Sequence, residues 1–261
     1  MKPTIHFIFS IGYRCYSPDF LNKFKLRKMS GPFDYLFIDF ETSLKIINNN
    51  FDDYLHDIIL FNQNKQQIEL FYKKNTTHIN NKFYELLENN IGYMAHNYNN
   101  TNLLFNQNYL DDTKLNDNLY NWNTICCFLH HNILNSTIYT SLKKRCDRFK
   151  NIINKYNETT ALFYITNIIN CKSIVEYMDN ILKLKKQNNI KCLIIIIINC
   201  DNIEDNKYYN EIDKCLFIIK KVENYETQYN KYQTDNKLNY EKEFNIISTY
   251  FTLNLIEKND I

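Results

Sequence analysis

The sequence predicts an α/β fold, an open and mostly parallel sheet with helices on both faces. Two observations support this prediction. Apolar runs without alternation, above all the five consecutive isoleucines at 194–198, are typical of strands buried on both faces. Between these runs lie segments whose apolar residues recur at helical spacing, and this alternation is the pattern of an α/β sheet. A chain of 261 residues suits one domain, 1–261, with a partly irregular insertion or excursion at about 50–120.

The first elements are a strand and a helix joined by a tight turn. Residues 5–11 form a continuous apolar run that ends at Gly12, which fits a buried strand. Ser17, Pro18 and Asp19 then read as the N-cap, the first helical residue and an acid in the first turn of a helix. In such Rossmann-like sheets ligands bind beyond the carboxyl ends of the strands, so the turn is the first candidate for a functional site.

The later elements follow in order, and only residues 50–125 are hard to interpret. Short alternations there, such as 67–72, indicate a hairpin or an excursion from the main sheet. Elsewhere apolar runs predict strands, and helical spacing with capping residues predicts helices. The predicted helices are at about 41–48, 138–156, 173–186 and 241–253, and the predicted strands are at 125–129, 162–165, 191–199 and 215–219.

The composition is strongly biased toward Asn, Ile, Lys and Tyr. There are only three Gly and three Pro, and Arg occurs only at 14, 27, 145 and 148. This bias indicates an AT-rich coding genome, such as that of a large DNA virus or a protist. Gly, Pro and Arg residues that persist against it are expected to serve geometry or chemistry. Most of the Gly and Pro residues, and two of the Arg, lie near the start of the chain around Cys15.

Charge balance and the lack of long apolar segments exclude several function classes. The 31 basic and 29 acidic residues leave a net charge of +2, and the densest basic run, 143–145, lies close to Asp147 on a predicted helix. We therefore expect no nucleic-acid partner. No segment has the length of a membrane span, and the apolar run at 5–11 is too short for a signal peptide. We expect a soluble intracellular protein of the host or viral cytoplasm, with no membrane partner.

Eight cysteines are spread along the chain without a CxxC pair or a Cys/His cluster at zinc-ligand spacing. We therefore expect reduced thiols, no metal and no other cofactor. Cys15 differs from the rest because it lies in the turn after the first strand, before a helix N-terminus and next to Arg14. Both neighbours favour the thiolate. The sequence leaves two readings open, a nucleophilic Cys15 and a structural cysteine packed in the turn.

A nucleophilic cysteine needs a base, and the best candidates are His130 and His131. They follow the apolar run 125–129 and therefore lie at a strand end, as Cys15 does. Asp34 either orients the histidine, binds substrate or caps the turn after Pro32.

Four further residues are candidates for substrate binding. Gly12 shapes the turn, and Arg14, Arg27 and Arg145 carry guanidinium groups suited to anions. Arg145 shares a helical face with Arg148 at i, i+3 spacing. This pair either binds an anion or forms ion pairs with acidic neighbours on the same helix.

Several of these residues resemble a known family. Residues 10–15 (Ser-Ile-Gly-Tyr-Arg-Cys), 26–27 (Leu-Arg) and 31–36 (Gly-Pro-Phe-Asp-Tyr-Leu) are similar to the N-terminal block of a domain family of unknown function. That family is labelled papain-like cysteine peptidase and occurs in bacteria and large DNA viruses. Residues 128–132 and 145–149 look like the family's histidine-containing strand end and its arginine-rich helix.

The chain departs from the family pattern at two positions. Tyr35 replaces a usual Trp, and His131 follows His130 where the family has Asp, so either ring can be the base. The resemblance implies cysteine peptidase activity with Cys15 as nucleophile.

The leading hypothesis is a cysteine-dependent hydrolase or acyl-transfer enzyme that acts on a peptide, ester or glycan. Cys15 attacks a carbonyl carbon, His130 or His131 acts as base, and Asp34 orients the ring. The first alternative is a nucleotide-sugar glycosyltransferase whose arginines bind the phosphates. The second is a non-catalytic binding module in which the Gly- and Pro-rich start only shapes a turn.

Overall fold

The computed structural model describes residues 2–12, 16–36, 38–62, 67–71, 102–106, 126–128, 131–168, 174–200, 203–222 and 240–260. The helices are α1 (Tyr16–Lys23), α2 (Phe40–Asn48), α3 (Ser136–Lys155), α4 (Ile174–Gln187) and α5 (Glu241–Tyr250). The strands are β1 (Thr4–Ile5), β2 (Phe7–Ser10), β3 (Ile58–Asn62), β4 (Gln67–Phe71), β5 (Asn102–Asn106), β6 (Thr160–Ile168), β7 (Leu193–Cys200), β8 (Asn206–Asn210), β9 (Cys215–Lys221) and β10 (Thr252–Leu253). Within these ranges, no helix is both long and apolar enough to cross a lipid bilayer.

A five-stranded sheet in the order β2-β6-β7-β9-β8 organises the fold. Its first four strands run parallel, and only β8 is antiparallel to its neighbour. The central strand is β7, whose residues Ile194–Ile198 are fully buried because both faces of the sheet are covered. The prediction of an open, mostly parallel α/β sheet is therefore confirmed.

Two aromatic residues show that helices cover both faces of this sheet. Phe9 in β2 pairs with Leu162 in β6, so the next residue, Phe163, points to the opposite face. The ring of Phe9 lies 4.9 Å from Phe149 in α3, whereas the ring of Phe163 lies 4.6 Å from Phe20 in α1. Helices α3 and α1 therefore pack on opposite sides.

Two elements end earlier than the sequence predicts. The strand expected at 5–11 is divided at His6 into β1, which pairs with β10, and β2, which pairs with β6. The helix expected at 241–253 ends at Tyr250, because Thr252–Leu253 pair with β1 instead of continuing the helix. Strand β10 thereby holds β1 through backbone pairing.

A second sheet is antiparallel and has the order β4-β3-β5. It lies within the span expected as an insertion, and β3 and β4 form the hairpin that was one of the two options there. The chain continues this pairing beyond β5: Asn106 N–H donates to the carbonyl of Cys126, and Phe128 N–H donates to that of Leu104, both at 2.9 Å. These bonds fix the backbone three residues before His131.

Candidate active site

Gly12 lies two residues after the end of β2 and has a backbone conformation that suits glycine alone. Its φ is +119°, and a Cβ atom would lie 2.2 Å from Cγ2 of Ile38. Any side chain would therefore be strained and would clash. The Ser43 hydroxyl in α2 holds the adjacent backbone by donating to the carbonyl of Ile11 at 2.5 Å. The persistence of this glycine in a Gly-poor chain thus has a geometric cause.

Ser17 connects the same strand end to the next strand. Its hydroxyl donates to the carbonyl of Gly12 at 2.9 Å and accepts from the backbone N–H of Ile165 in β6 at 2.9 Å. The prediction of Ser17 as an N-cap is wrong, because α1 already begins at Tyr16. The buried hydroxyl instead links the residue Gly12, just after β2, to the backbone of β6.

Asp34 is the buried acid of the turn at 32–35, with only 1% of its surface exposed. Its Oδ2 atom accepts from Arg27 Nε (2.9 Å), Arg27 Nη2 (2.6 Å) and the Gly31 N–H (2.8 Å). Burial raises the pKa of the Asp34 carboxyl above its ordinary value, while Arg27 and the Gly31 N–H act in the opposite direction. The guanidinium of Arg27 is therefore used to hold this turn.

Two further arginines approach this turn from α3. Arg148 Nη2 donates to the carbonyl of Ser30 at 2.5 Å, and Arg27 Nη2 donates to the Ser30 hydroxyl at 3.0 Å. Arg145 is close enough for its charge to oppose the raised pKa of Asp34, yet within the described ranges it makes no hydrogen bond or ion pair. Three of the four arginines thus surround one carboxylate, which leaves an excess of positive charge.

Phe33 anchors the turn in an aromatic cluster below the site. Its ring centroid lies 5.4–6.1 Å from those of Phe51, Tyr54 and Phe149. The Tyr54 hydroxyl also donates to the carbonyl of Pro32 at 2.6 Å. Tilted and edge-to-face contacts of this kind favour one arrangement of the rings, so the turn is held from beneath.

Gly31 lies against the carboxyl end of β2 and brings the turn at 32–35 close to it. A Cβ atom at Gly31 would lie 3.3 Å from Cδ1 of Phe9 and 3.7 Å from the carbonyl oxygen of Ser10, the last residue of β2. The turn that holds Asp34 therefore packs directly against the strand end that leads toward Cys15.

His131 is bound to the same turn. Its Nε2–H donates to the backbone carbonyl of Asp34 at 3.0 Å, and the residue is half-buried. Since a carbonyl oxygen only accepts, the neutral ring carries its proton on Nε2, and Nδ1 is then the basic nitrogen. Asp34 thus contacts a histidine through its main-chain oxygen, while its carboxylate is bound to Arg27.

The structure brings several predicted site residues to one place and leaves three outside its description. Those that it brings to the turn at 32–35 are Arg27, Asp34, His131 and Arg145, and Gly12 lies at the strand end beside it. Those that lie outside the described residues are Arg14, Cys15 and His130.

Asp39 was not among the predicted site residues. It is the N-cap of α2, and its carboxylate accepts from the backbone N–H (2.9 Å) and the hydroxyl (2.5 Å) of Thr42. Burial raises the pKa of Asp39 to about 7, against the opposing effect of the bonds from Thr42. An Asp directly before a helix is a capping signal that the sequence does contain.

The cysteines within the described ranges are buried. Burial raises the pKa of Cys146 and Cys192 to about 12 and that of Cys215 to about 11, and it raises those of Cys126 and Cys127 further. Thiols of this kind are inert at neutral pH. In the described part of the chain, no group of three or more His, Cys, Asp or Glu side chains is arranged to hold a metal ion.

A comparison with protein-family models matches residues 6–202 to the family described as "Putative papain-like cysteine peptidase (DUF1796)". The matched range includes the turn at 32–35, His131 and the arginines of α3. No curated protein and no solved structure matches the chain.

Proposed function

Because the chain belongs to the family described as "Putative papain-like cysteine peptidase", we propose that it is a cysteine-dependent hydrolase or acyl-transfer enzyme. Cys15 is the nucleophile and His131 is the base. The observation that carries the proposal is the 3.0 Å hydrogen bond from His131 Nε2 to the Asp34 carbonyl. It attaches an imidazole to a turn that packs against the end of β2, and Cys15 follows that strand end in the chain.

The position of Cys15 in the chain supports its role. It directly precedes Tyr16, the first residue of α1, and it lies five residues after Ser10, the last residue of β2. The N-terminal end of a helix and the neighbouring charge of Arg14 both favour a thiolate. The other cysteines that the structure describes are buried, so they are not accessible to a substrate.

The chemistry needs one nucleophile and one base. His131 Nδ1 takes the proton of the Cys15 thiol, and the sulfur forms a bond to the carbonyl carbon of the substrate. The imidazolium gives that proton to the leaving group as the carbon–nitrogen or carbon–oxygen bond breaks. Water then attacks the thioester with help from the same imidazole, which releases an acid and restores the thiol. Another nucleophile in place of water gives acyl transfer.

Arg27 and Asp34 are positioning residues in this proposal. Arg27 compensates the buried carboxylate of Asp34, and this pair fixes the turn whose carbonyl receives the His131 ring. A ring held through Nε2–H keeps one tautomer, in which Nδ1 is the nitrogen that accepts a proton.

Arg145 favours a substrate with an anionic group. Its guanidinium has no hydrogen-bonding partner within the described ranges, whereas Arg27 and Arg148 donate to Asp34 and Ser30. Paired binding of a carboxylate is the interaction for which the guanidinium geometry is best suited. We infer that the substrate carries a carboxylate near the bond that is cleaved, such as an acidic side chain or a C-terminus.

The test is formation of an acyl-enzyme with 4-nitrophenyl acetate, followed by intact-mass measurement and peptide mapping. We expect a single acetyl group on Cys15 and none in Cys15→Ser. His131→Gln should slow the reaction by about a hundredfold or more, the usual contribution of a general base. The adjacent His130→Gln is the matched control and should change the rate little. Equal effects of the two histidine substitutions, or acetylation elsewhere at the same rate, would overturn the assignment.

The positive excess around Asp34 also suits a nucleotide-sugar glycosyltransferase, the second candidate. In that case Arg145 binds a phosphate of the donor. Thermal stabilisation by UDP- or GDP-sugars separates the two candidates. Stabilisation that persists in Cys15→Ser and disappears in Arg145→Gln would favour the transferase, and no stabilisation in any variant would eliminate it.

A further inference from the structure

Tyr35 presents an aromatic side chain beside the candidate base. Its backbone N–H belongs to the same peptide group as the Asp34 carbonyl, which accepts the 3.0 Å hydrogen bond from His131 Nε2. Standard peptide dimensions then put the Cα atom of Tyr35 within about 6 Å of that nitrogen. Tyr35 is half-buried, whereas its neighbours Asp34 and Leu36 are buried. Part of the Tyr35 side chain is therefore exposed at the candidate site.

The backbone of Tyr35 has a conformation that tyrosine rarely adopts. Its φ is +62°, in the left-handed region, where a bulky residue is an outlier. Conformations of this kind persist only where the surrounding structure fixes them, and they cluster at active sites and ligand clamps. Phe33, two residues earlier, packs in the aromatic cluster below the site, whereas the Tyr35 side chain contacts α1. The strained backbone thus accompanies a side chain that is not used in the core.

Two side chains fix the position of the Tyr35 ring. Asn22 Nδ2 donates to the Tyr35 hydroxyl at 3.0 Å, and the guanidinium carbon of Arg27 lies 5.5 Å from the ring centroid. Arg27 is itself bound to the Asp34 carboxylate, so the ring, the guanidinium and the turn form one connected unit. A ring that is already fixed loses little conformational freedom when a ligand packs against it.

The Tyr35 side chain extends from the peptide group bound to His131 toward the helix that Cys15 precedes. Burial raises the pKa of Tyr35, and the negative charge of Asp19 in the first turn of α1 adds to this rise, which places Asp19 near the ring. Asp19 and Asn22 follow Cys15 by four and seven residues, the spacing of one helical face. Tyr35 therefore lies between the candidate base and this face of α1.

We propose that Tyr35 is a specificity-determining residue whose ring packs against a planar apolar group of the substrate, such as an aromatic side chain next to the bond that is cleaved. The inference rests on the proposed function and narrows its substrate class, because Arg145 favours an anionic group and Tyr35 a flat apolar one. Packing of two rings in an offset or edge-to-face arrangement stabilises a complex beyond the area that the rings bury. A substrate with an aromatic group is therefore preferred over one without it.

The experiment compares two alkylating reagents that differ only in a phenyl group, iodoacetamide and N-phenyl iodoacetamide. Peptide mass spectrometry gives the rate at which each reagent alkylates Cys15, and the ratio of the two rates is divided by the same ratio for glutathione. We expect the wild-type protein to prefer the phenyl reagent by about fivefold. Tyr35→Asn should reduce this preference to about one, since asparagine tolerates a positive φ but has no ring.

Two further variants separate the ring from its surroundings. Tyr35→Phe keeps the ring and should keep the preference, whereas a role limited to the hydrogen bond with Asn22 would lose it. The matched control is Tyr208→Asn, an exposed tyrosine on β8 beyond the end of the family match, and it should leave the preference unchanged.

The outcomes distinguish this inference from the proposed function. If Cys15 reacts faster than glutathione but the wild type shows no phenyl preference, or Tyr35→Asn retains it, the inference alone is overturned. If Cys15 reacts no faster than glutathione with either reagent, the proposed function is overturned and the inference with it.

Discussion

Arg27→Met removes the main partner of the buried acid at the candidate site. Methionine keeps an apolar stem but loses the guanidinium, which supplies two of the three hydrogen bonds to Asp34 Oδ2. The side chain of Asp34 is 2% exposed, so water does not replace them. Loss of one partner of a buried ion pair costs about 3–5 kcal/mol. We expect the free energy of unfolding to fall by that amount and Tm to fall by on the order of 10 °C.

The effect of this substitution depends on pH. Burial raises the folded-state pKa of Asp34, so the ionised carboxylate lowers stability increasingly as the pH rises through that pKa. Arg27 opposes this rise in pKa, and the folded-state pKa is therefore higher still in the variant. The penalty of Arg27→Met should be largest at neutral pH and should shrink in acid, where Asp34 is protonated.

Urea unfolding at about pH 5 and about pH 7.5 measures both effects. Lys28→Met is the matched control, because the exposed ion pair of Lys28 with Glu257 contributes less than about 1 kcal/mol. Adding Asp34→Asn to Arg27→Met removes the uncompensated charge and should restore part of the stability at neutral pH. A loss below about 1 kcal/mol, equal losses at both pH values, or no recovery in the double variant would refute the reasoning.

Three further predictions concern the same region. Gly12→Ala should lower the free energy of unfolding by about 3 kcal/mol or more, since its Cβ would lie 2.2 Å from Ile38, whereas Gly31→Ala, with its closest contact at 3.3 Å, should cost clearly less in the same urea assay. Burial raises the pKa of Asp39 to about 7, so this carboxyl should make wild-type stability decline by up to roughly 4 kcal/mol between about pH 4 and pH 7. Asp39→Asn should remove this contribution and leave the part of the decline that Asp34 causes. An unchanged pH profile in Asp39→Asn would contradict the shift. Tyr54→Phe should cost about 1–2 kcal/mol, because it leaves the Pro32 carbonyl without its 2.6 Å bond, and a neutral effect would mean that water replaces the hydroxyl.

The main sheet was predictable because its strands carry strong local signals. The isoleucine run of β7 has only one plausible setting, a strand covered on both faces. By contrast, β8 (Asn206–Asn210) is a polar and largely exposed edge strand, so the sequence has no apolar run that predicts it. The pairing of Thr4–Ile5 with Thr252–Leu253 joins the two ends of the chain and has no local sequence signal.

The sequence indicates candidate site residues but does not give the contacts between them. The retention of arginine in an Arg-poor chain and the family resemblance both indicated Arg27 and Arg145. The partner of Arg27 depends on a turn in which Tyr35 has a φ of +62°, and spacing alone does not give that geometry. Similarly, Ser17 was predicted as a helix cap, whereas its hydroxyl bridges two strands through a contact with Ile165.

The most direct test of the central claim is the rate at which iodoacetamide alkylates each cysteine as a function of pH, read by peptide mass spectrometry. We predict that Cys15 reacts faster than the six buried cysteines and reaches half its maximal rate well below the ordinary thiol pKa of about 8.5. His131→Gln should slow that reaction at neutral pH, and His130→Gln should not. A Cys15 that titrates near 8.5, reacts no faster than the buried thiols and ignores the loss of His131 would contradict the account.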